Sequence, residues 1–231
     1  MKRTPDARLS AAAALVRTGA VFADVGTDHA YLPLLLLEDG KIARAYACDI
    51  GEGPLSRARA HVAASPYADR VTLLLTDGLE GLDGRGITDI ALCGMGGELI
   101  VRILSRAPWV RDPALRLVLQ PMTRAAVLRR YLAAEGFSVE EERLARAAGR
   151  AYTCIATHYD GIKKDMSPEY YEMGDLPKDP DGRAIYRDIL LRKTAALRKK
   201  IAGRASADRA EAADDALLSA YENLLRKVDT V

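Results

Sequence analysis

Apolar and polar positions along residues 1–160 alternate between two periods. Short, nearly continuous apolar runs at Ala20 to Val25, Arg44 to Asp49, Val71 to Thr76, Asp89 to Cys93 and Leu115 to Gln120 predict strands buried on both faces. Apolar positions at helical spacing predict helices near Tyr31 to Glu38, Gly53 to Ala64, Gly97 to Arg106 and Arg124 to Glu135. Thr4 before Pro5 reads as an N-cap and first-turn pair opening a further helix through Arg17. Strand and helix in regular alternation with short connections predict a Rossmann-like α/β fold, a parallel sheet wound by crossover helices.

Past Gly136 the pattern changes. Ser138 to Arg146 and Ala151 to Tyr159 face each other across Gly149-Arg150 and predict an antiparallel hairpin closing one edge of the sheet. Residues 162 to 182 hold Pro168, Pro177, Pro180, Gly174 and Gly182 among charges, which reads as a linker or a loosely ordered loop. Beyond it, Tyr186, Leu190, Leu197 and Ile201 form one helical stripe and Leu217, Tyr221, Leu224 and Val228 another. Gly203 to Ala207 separate the two, so a C-terminal antiparallel helical hairpin is expected. The domains are therefore expected at 1–160, a ligand-binding α/β domain, and 161–231, a linker and hairpin arm.

Composition changes this picture little. The chain has 231 residues, 49% hydrophobic and 29% charged, with a net charge of +2, ordinary values that name no partner. Cys48, Cys93 and Cys154 lie in apolar runs without metal or redox spacing and cannot pair completely, which points to a reduced, cytoplasmic setting. Ser10 to Val16 after Lys2-Arg3 resembles a signal peptide only faintly, with Pro5, Asp6 and Arg8 interrupting its approach. The longest uncharged apolar run, Ala30 to Leu37, falls well short of the about 20 residues that span a bilayer. No membrane partner is expected, and His61 and His158, with no partner cluster, argue against a metal.

The chemistry concentrates where strands end. After the first strand, Asp24-Val-Gly26-Thr27-Asp28-His29 sits where a dinucleotide fold would carry G-x-G-x-x-G, yet it offers one glycine and then a carboxylate. A carboxylate there repels phosphate and suits a cationic cofactor without one; S-adenosylmethionine, bearing an ammonium and a sulfonium, fits. Asp49 ends the second strand at a distance suited to a ribose hydroxyl. Asp77-Gly78 ends the third, where an adenine amine needs an acceptor and its ring close approach, and Gly94-Met95-Gly96-Gly97 ends the fourth, leaving room beside a transferable methyl. A strand-terminal aspartate is by itself more often a helix cap and a glycine-rich turn more often just a turn. Their joint occurrence at successive carboxyl ends, where open α/β sheets bind ligands, reverses those odds.

The run Asp24 to Pro33, the Gly94 to Gly97 loop, and Gln120-Pro121 followed by Leu128-Arg129 and Leu132 together resemble the bacterial tRNA (adenine-N1)-methyltransferases that modify adenine 22 in the D-arm. The likeness extends through Tyr171-Glu172-Met173-Gly174 and the terminal hairpin. It implies a class I methyltransferase sheet, and S-adenosylmethionine contacts at Asp24, Gly26, Asp28, His29, Asp49, Asp77, Gly78, Gly94 and Met95, with Arg8 reaching the cofactor carboxylate. Thr27 stands where this family usually has serine and Met122 where it often has asparagine. Because neutral adenine N1 has a free lone pair, positioning should supply most of the acceleration, and Asp28 and Tyr31 are expected to orient the base or offset its developing charge. The bland alternative is that Asp28 caps the following helix and Tyr31 is core.

For the RNA, the predicted helix over 183–204 offers Arg183, Arg187, Arg192, Lys193, Arg198, Lys199, Lys200 and Arg204 against Asp188 alone, a natural partner for phosphate. Pairing with Asp208, Glu211, Asp214, Asp215, Glu222 and Asp229 of the second hairpin helix is the competing reading. The overall expectation is a monomeric tRNA methyltransferase. A methyltransferase of a small molecule or protein, and a non-catalytic RNA-binding protein that kept the fold, stand as alternatives.

Overall fold

The computed structural model of the chain describes residues 6–203 and 209–230. Two compact units are present, residues 1–165 and 166–231. In the first, the elements run α1 (Ala7–Leu15), β1 (Ala20–Val25), α2 (Tyr31–Glu38), β2 (Ile42–Asp49), α3 (Glu52–Ala63), β3 (Val71–Leu75), β4 (Asp89–Gly96), α4 (Gly97–Ser105), β5 (Arg116–Thr123), α5 (Ala125–Glu135), β6 (Phe137–Ala147) and β7 (Arg150–Tyr159). They form a seven-stranded sheet in the order β3-β2-β1-β4-β5-β7-β6. Strands β1 to β5 are parallel, β7 is antiparallel to β5, and β6 is antiparallel to β7. The order reverses at β1, which lies between β2 and β4, and such a switch point opens a crevice at the carboxyl ends of the two diverging strands.

Both faces of the sheet are covered, which is why its strands read as apolar runs. Phe22 and Val118 pack with Leu15, Leu32, Leu36 and Val62 on one side. Ala23, Val25, Leu117 and Leu119 pack with Ile100, Leu104, Leu128 and Leu132 on the other. Helix α1 is capped by Asp6, whose side chain accepts from Arg8 N at 3.0 Å; Thr4 and Pro5, expected in that role, lie outside the described residues. The helix stops short of the predicted Arg17 because Arg17 turns to buried Asp89, with its backbone N at 2.8 Å and Nε at 2.9 Å. The expected hairpin is β6–β7, but its turn is Ala148-Gly149, both at positive φ (47° and 73°), rather than Gly149-Arg150. A two-residue loop with two left-handed positions matches the natural twist of paired strands.

The second unit holds α6 (Pro168–Met173), α7 (Pro180–Ala202) and α8 (Arg209–Thr230). Helix α6 corrects the expectation of a linker or loose loop over 162 to 182. Ser167 caps it, Pro168 opens it, and Gly174 at φ 71° closes it, so residues read as loop markers are helix boundaries. Tyr171 and Met173 are its buried residues. Asp179 caps α7, accepting from Gly182 N at 2.6 Å, and Tyr186, Leu190 and Leu197 form its buried stripe. Pairs Arg187 with Asp229 and Arg198 with Glu222 run in opposite senses, which makes α7 and α8 antiparallel.

Candidate functional site

Strands β3, β2, β1 and β4 are parallel neighbours, so their carboxyl ends lie along one edge of the sheet on either side of the switch point. Asp24, last but one in β1, is buried, and loss of water pushes its pKa from 3.8 up to about 6; the Thr27 hydroxyl counteracts this and the Asp49 carboxylate adds to it. Asp49, ending β2, accepts from Gly51 N at 2.7 Å. Gly26 follows at φ +80°, and a Cβ there would collide with the terminal methyl of Met95 from the end of β4. The Met95 side chain could swing aside, so it is the left-handed backbone at Gly26 that calls for glycine. Strand β4 runs on through Gly96, past the expected end at Cys93, because Met95 and Gly96 still pair with β5 across an irregular register, and this glycine-rich end is pinned: buried Gln120 takes Gly94 N–H at 3.0 Å and Arg8 Nη1 at 3.1 Å on a single Oε1. Asp77 beyond β3 pairs with Arg106 Nη1 at 2.8 Å, and the same guanidinium reaches Glu80 at 2.7 Å. Asp77, Gly78, Ile103, Arg106 and Trp109 border a cleft of about 240 Å³. Ile50, next to Asp49, is 70% exposed at the open edge, a large apolar surface that a flat ring would cover.

These residues fit the cofactor inferred from the loop chemistry. A carboxylate whose charge is disfavoured by loss of water gains most from a cation, and a diphosphate beside Asp24 and Asp49 would be repelled. Among the described residues no group of three or more His, Cys, Asp or Glu could hold a metal ion.

The Asp28 loop joins β1 to α2. Ala30, at φ 54°, is the N-cap of α2 and its backbone N donates to Thr27 Oγ1 at 3.1 Å; Asp28 does not cap the helix. Its Oδ1 accepts instead from Arg57 of α3, from Nε at 2.8 Å and also from Nη2, while Oδ2 lies 3.3 Å from His29 Nε2. Tyr31, half-buried, stacks on His29 with ring centres 4.9 Å apart and meets His61 edge-on at 4.9 Å. His61 Nδ1 sits 3.0 Å from the His29 carbonyl oxygen. Sequence reading passed over Arg57 and treated His61 as an ordinary helical residue. Their four-residue spacing puts both on one helix face, a sign that becomes meaningful only once that face is known to meet the loop.

The basic helix is largely internally paired. Arg187 meets Asp229 (2.7 Å), Arg198 meets Glu222 (2.8 Å) and Lys200 meets Asp214 (2.8 Å), as the competing reading supposed, and Lys193 meets Glu172 of α6 (2.6 Å). Arg183 donates to the Lys178 carbonyl and Arg192 Nε to that of Asp188. Arg192 and Lys199 are exposed and make no ion pair among the described residues; Arg204 lies outside them.

Comparison with known proteins gives a consistent picture. The family described as "Methyltransferase domain" matches residues 6–155. The tRNA (adenine(22)-N(1))-methyltransferase of Bacillus subtilis (strain 168) is 33% identical over 162 residues, 67% of this chain and 68% of that one. Streptococcus pneumoniae Sp1610, a candidate tRNA (m1A22) methyltransferase, superposes with a TM-score of 0.83 at 27% identity over 96% of this chain and all of that one. Its complex with S-adenosyl-L-methionine superposes with a TM-score of 0.80 at 28% identity over 94% of this chain and 98% of that one. TrmK from M. capricolum, 21% identical, shares the fold with a TM-score of 0.82 over 98% and 100% of the two chains. The likeness in sequence and fold thus settles where the acidic, glycine-lined crevice belongs: the chain is a member of the bacterial tRNA (adenine(22)-N1)-methyltransferase family.

Proposed function

We propose that this protein transfers a methyl group from S-adenosylmethionine to N1 of adenine 22 in the D-arm of tRNA. The observation that carries the reading is the buried, charge-starved Asp24 at a switch point shared with Asp49 and the Gly94 loop. Asp24 receives the cofactor ammonium, Asp49 the ribose hydroxyls, and Asp77 with Ile50 the adenine; Arg8 faces the cofactor carboxylate from beside Gly94. Gly26, Gly78, His29 and Met95 line the same site. S-adenosylmethionine supplies an electrophilic methyl whose bonding electrons stay on sulfur when a lone pair attacks.

The chain's own task is positioning. Neutral adenine N1 needs no proton removed before attack, so no strong base is required, and bringing the two reactants into register lowers the barrier. Asp28 and Tyr31 orient the base, and the Asp28 carboxylate offsets the positive charge that the ring acquires. Since N1 lies on the Watson–Crick edge, a paired adenine must first be exposed. Helix α7 serves as the tRNA-binding arm through the phosphate backbone, Arg192 and Lys199 foremost. Residues 1–160 carry catalysis, residues 161–231 carry RNA binding, and the protein works as a cytoplasmic monomer.

The test is to incubate the pure protein with labelled S-adenosylmethionine and tRNA transcripts and to map the modified nucleotide. Label at adenine 22, absent when that base is replaced by guanine, is expected. Label at another position, or in a small molecule or protein but not tRNA, overturns the assignment, and cofactor binding without turnover on modification-free tRNA would favour a binding protein instead.

A further inference from the structure

We propose that Arg57 is a positioning residue of the methyl transfer, with His61 as its second support: helix α3 braces the Asp28–Tyr31 loop from outside the reacting centre. This rests on the reading that Asp28 and Tyr31 face the target base.

The loop needs such a brace. Its backbone is anchored at its start, where Gly26 N and Thr27 N both donate to Cys48 O at 2.8 Å, and at its end, where Ala30 N meets Thr27 Oγ1 and Ala30 O accepts from Leu34 N at 3.1 Å. Asp28 and His29 lie between these anchors, and Ala30 then takes a left-handed conformation that a non-glycine residue adopts only against a cost. Arg57 fixes the Asp28 end: two of its nitrogens converge on Oδ1, which leaves Oδ2 facing His29 and settles the rotation of the carboxylate. His61, one turn further along α3, fixes the other end by reaching the His29 carbonyl and closing on the Tyr31 ring. The two supports therefore act at both ends of the Asp28–Tyr31 stretch, and both come from one helix.

The same helix starts just beyond Asp49, whose Oδ1 binds Gly51 N. One rigid rod therefore leads from the ribose carboxylate to the substrate-side loop, and it sets their spacing. The Asp28 and Arg57 side chains are 58% and 51% exposed, and an exposed pair of this kind contributes little to stability. Its loss should be visible in function and not in melting.

Arg57→Ala is expected to leave the thermal midpoint and the S-adenosylmethionine dissociation constant near those of the wild type, while kcat on tRNA falls by about 10²-fold, the scale of a small misplacement of reacting groups. Arg57→Lys, which keeps the charge without the fork, should recover part of the loss, and His61→Ala should show a smaller fall of the same kind. In the Arg57→Ala/Asp28→Asn double variant the combined loss should fall well short of the product of the two single losses, because part of what Asp28 contributes depends on Arg57. A fall confined to KM for tRNA with kcat intact overturns the proposal and makes Arg57 a phosphate contact. Full additivity of the two changes overturns it as well. Amide hydrogen exchange across residues 27–31 gives an arm independent of turnover: faster exchange in Arg57→Ala is expected, and unchanged exchange defeats the brace. A wild-type protein that leaves tRNA unmethylated would instead sink the substrate reading, with the exchange arm still deciding whether α3 holds the loop.

Discussion

Burial places an unusual demand on Asp24. With a folded pKa of about 6 against 3.8 in the open chain, the native state holds the extra proton between those values, so stability without cofactor falls as pH rises from 4 to 6 and stays low above. The penalty above pH 6 is on the order of 3 kcal/mol. Asp24→Asn should therefore raise the urea midpoint of the cofactor-free protein at pH 7.5 and change it little at pH 4, while weakening the affinity for S-adenosylmethionine. In the wild type that affinity should decline as pH drops through 6, and calorimetry in buffers of different ionisation heat should register proton release on binding at pH 5.5. Gly97 provides a second residue-scale expectation. A Cβ there would run into the backbone carbonyl of Arg124, which no side-chain rotation relieves, so Gly97→Ala should cost about 1–3 kcal/mol by denaturant unfolding. Much of this site was legible in sequence because acids and glycines at strand ends advertise themselves. The Gln120 pin, the Arg57 contact and the exposure of Ile50 were not, since each depends on which neighbour the fold delivers.

Helices and strands were legible wherever one period dominated a segment. The parallel β1 to β5 with their helices follow from apolar runs and helical stripes, since both faces are buried. Boundaries failed where a side chain far along the sequence intervened, as Asp89 does in ending α1, and α6 was missed because a six-residue helix offers less than two turns of pattern between a proline and a glycine. Two element-scale outcomes follow. Arg129 of α5 and Glu142 of β6, 2% and 7% exposed, form a forked pair (Nε at 2.8 Å, Nη2 at 2.6 Å) joining the last helix of the first unit to the β6–β7 hairpin. Arg129→Ala strands a buried carboxylate and should cost about 3–5 kcal/mol, whereas Arg129→Met with Glu142→Leu should recover most of that loss, both read from chemical denaturation. In the hairpin turn, Ala148→Asn supplies a residue tolerant of positive φ and should raise stability by about 0.5 kcal/mol in the same assay.

Across the molecule, the sequence excess of base in α7 is mostly spent within its own unit, a fact that summed charge could not disclose. Arg187, Lys193, Arg198 and Lys200 each have a carboxylate within 2.9 Å, so the slope of tRNA affinity against salt should be shallower than eight cations imply. Arg192→Ala and Lys199→Ala should each lower that slope by about one, while Arg187→Ala should change it little; filter binding from 50 to 300 mM salt separates the cases.

The shared acceptor on Gln120 has a practical side. One amide oxygen ties the opening helix to the Gly94 segment, so strain applied to the amino end is passed within a single residue to the segment proposed to flank the methyl donor. Purification handles or fluorescent fusions attached upstream of α1 would then slow turnover without unfolding anything, and assays built on such fusions would understate what the enzyme can do.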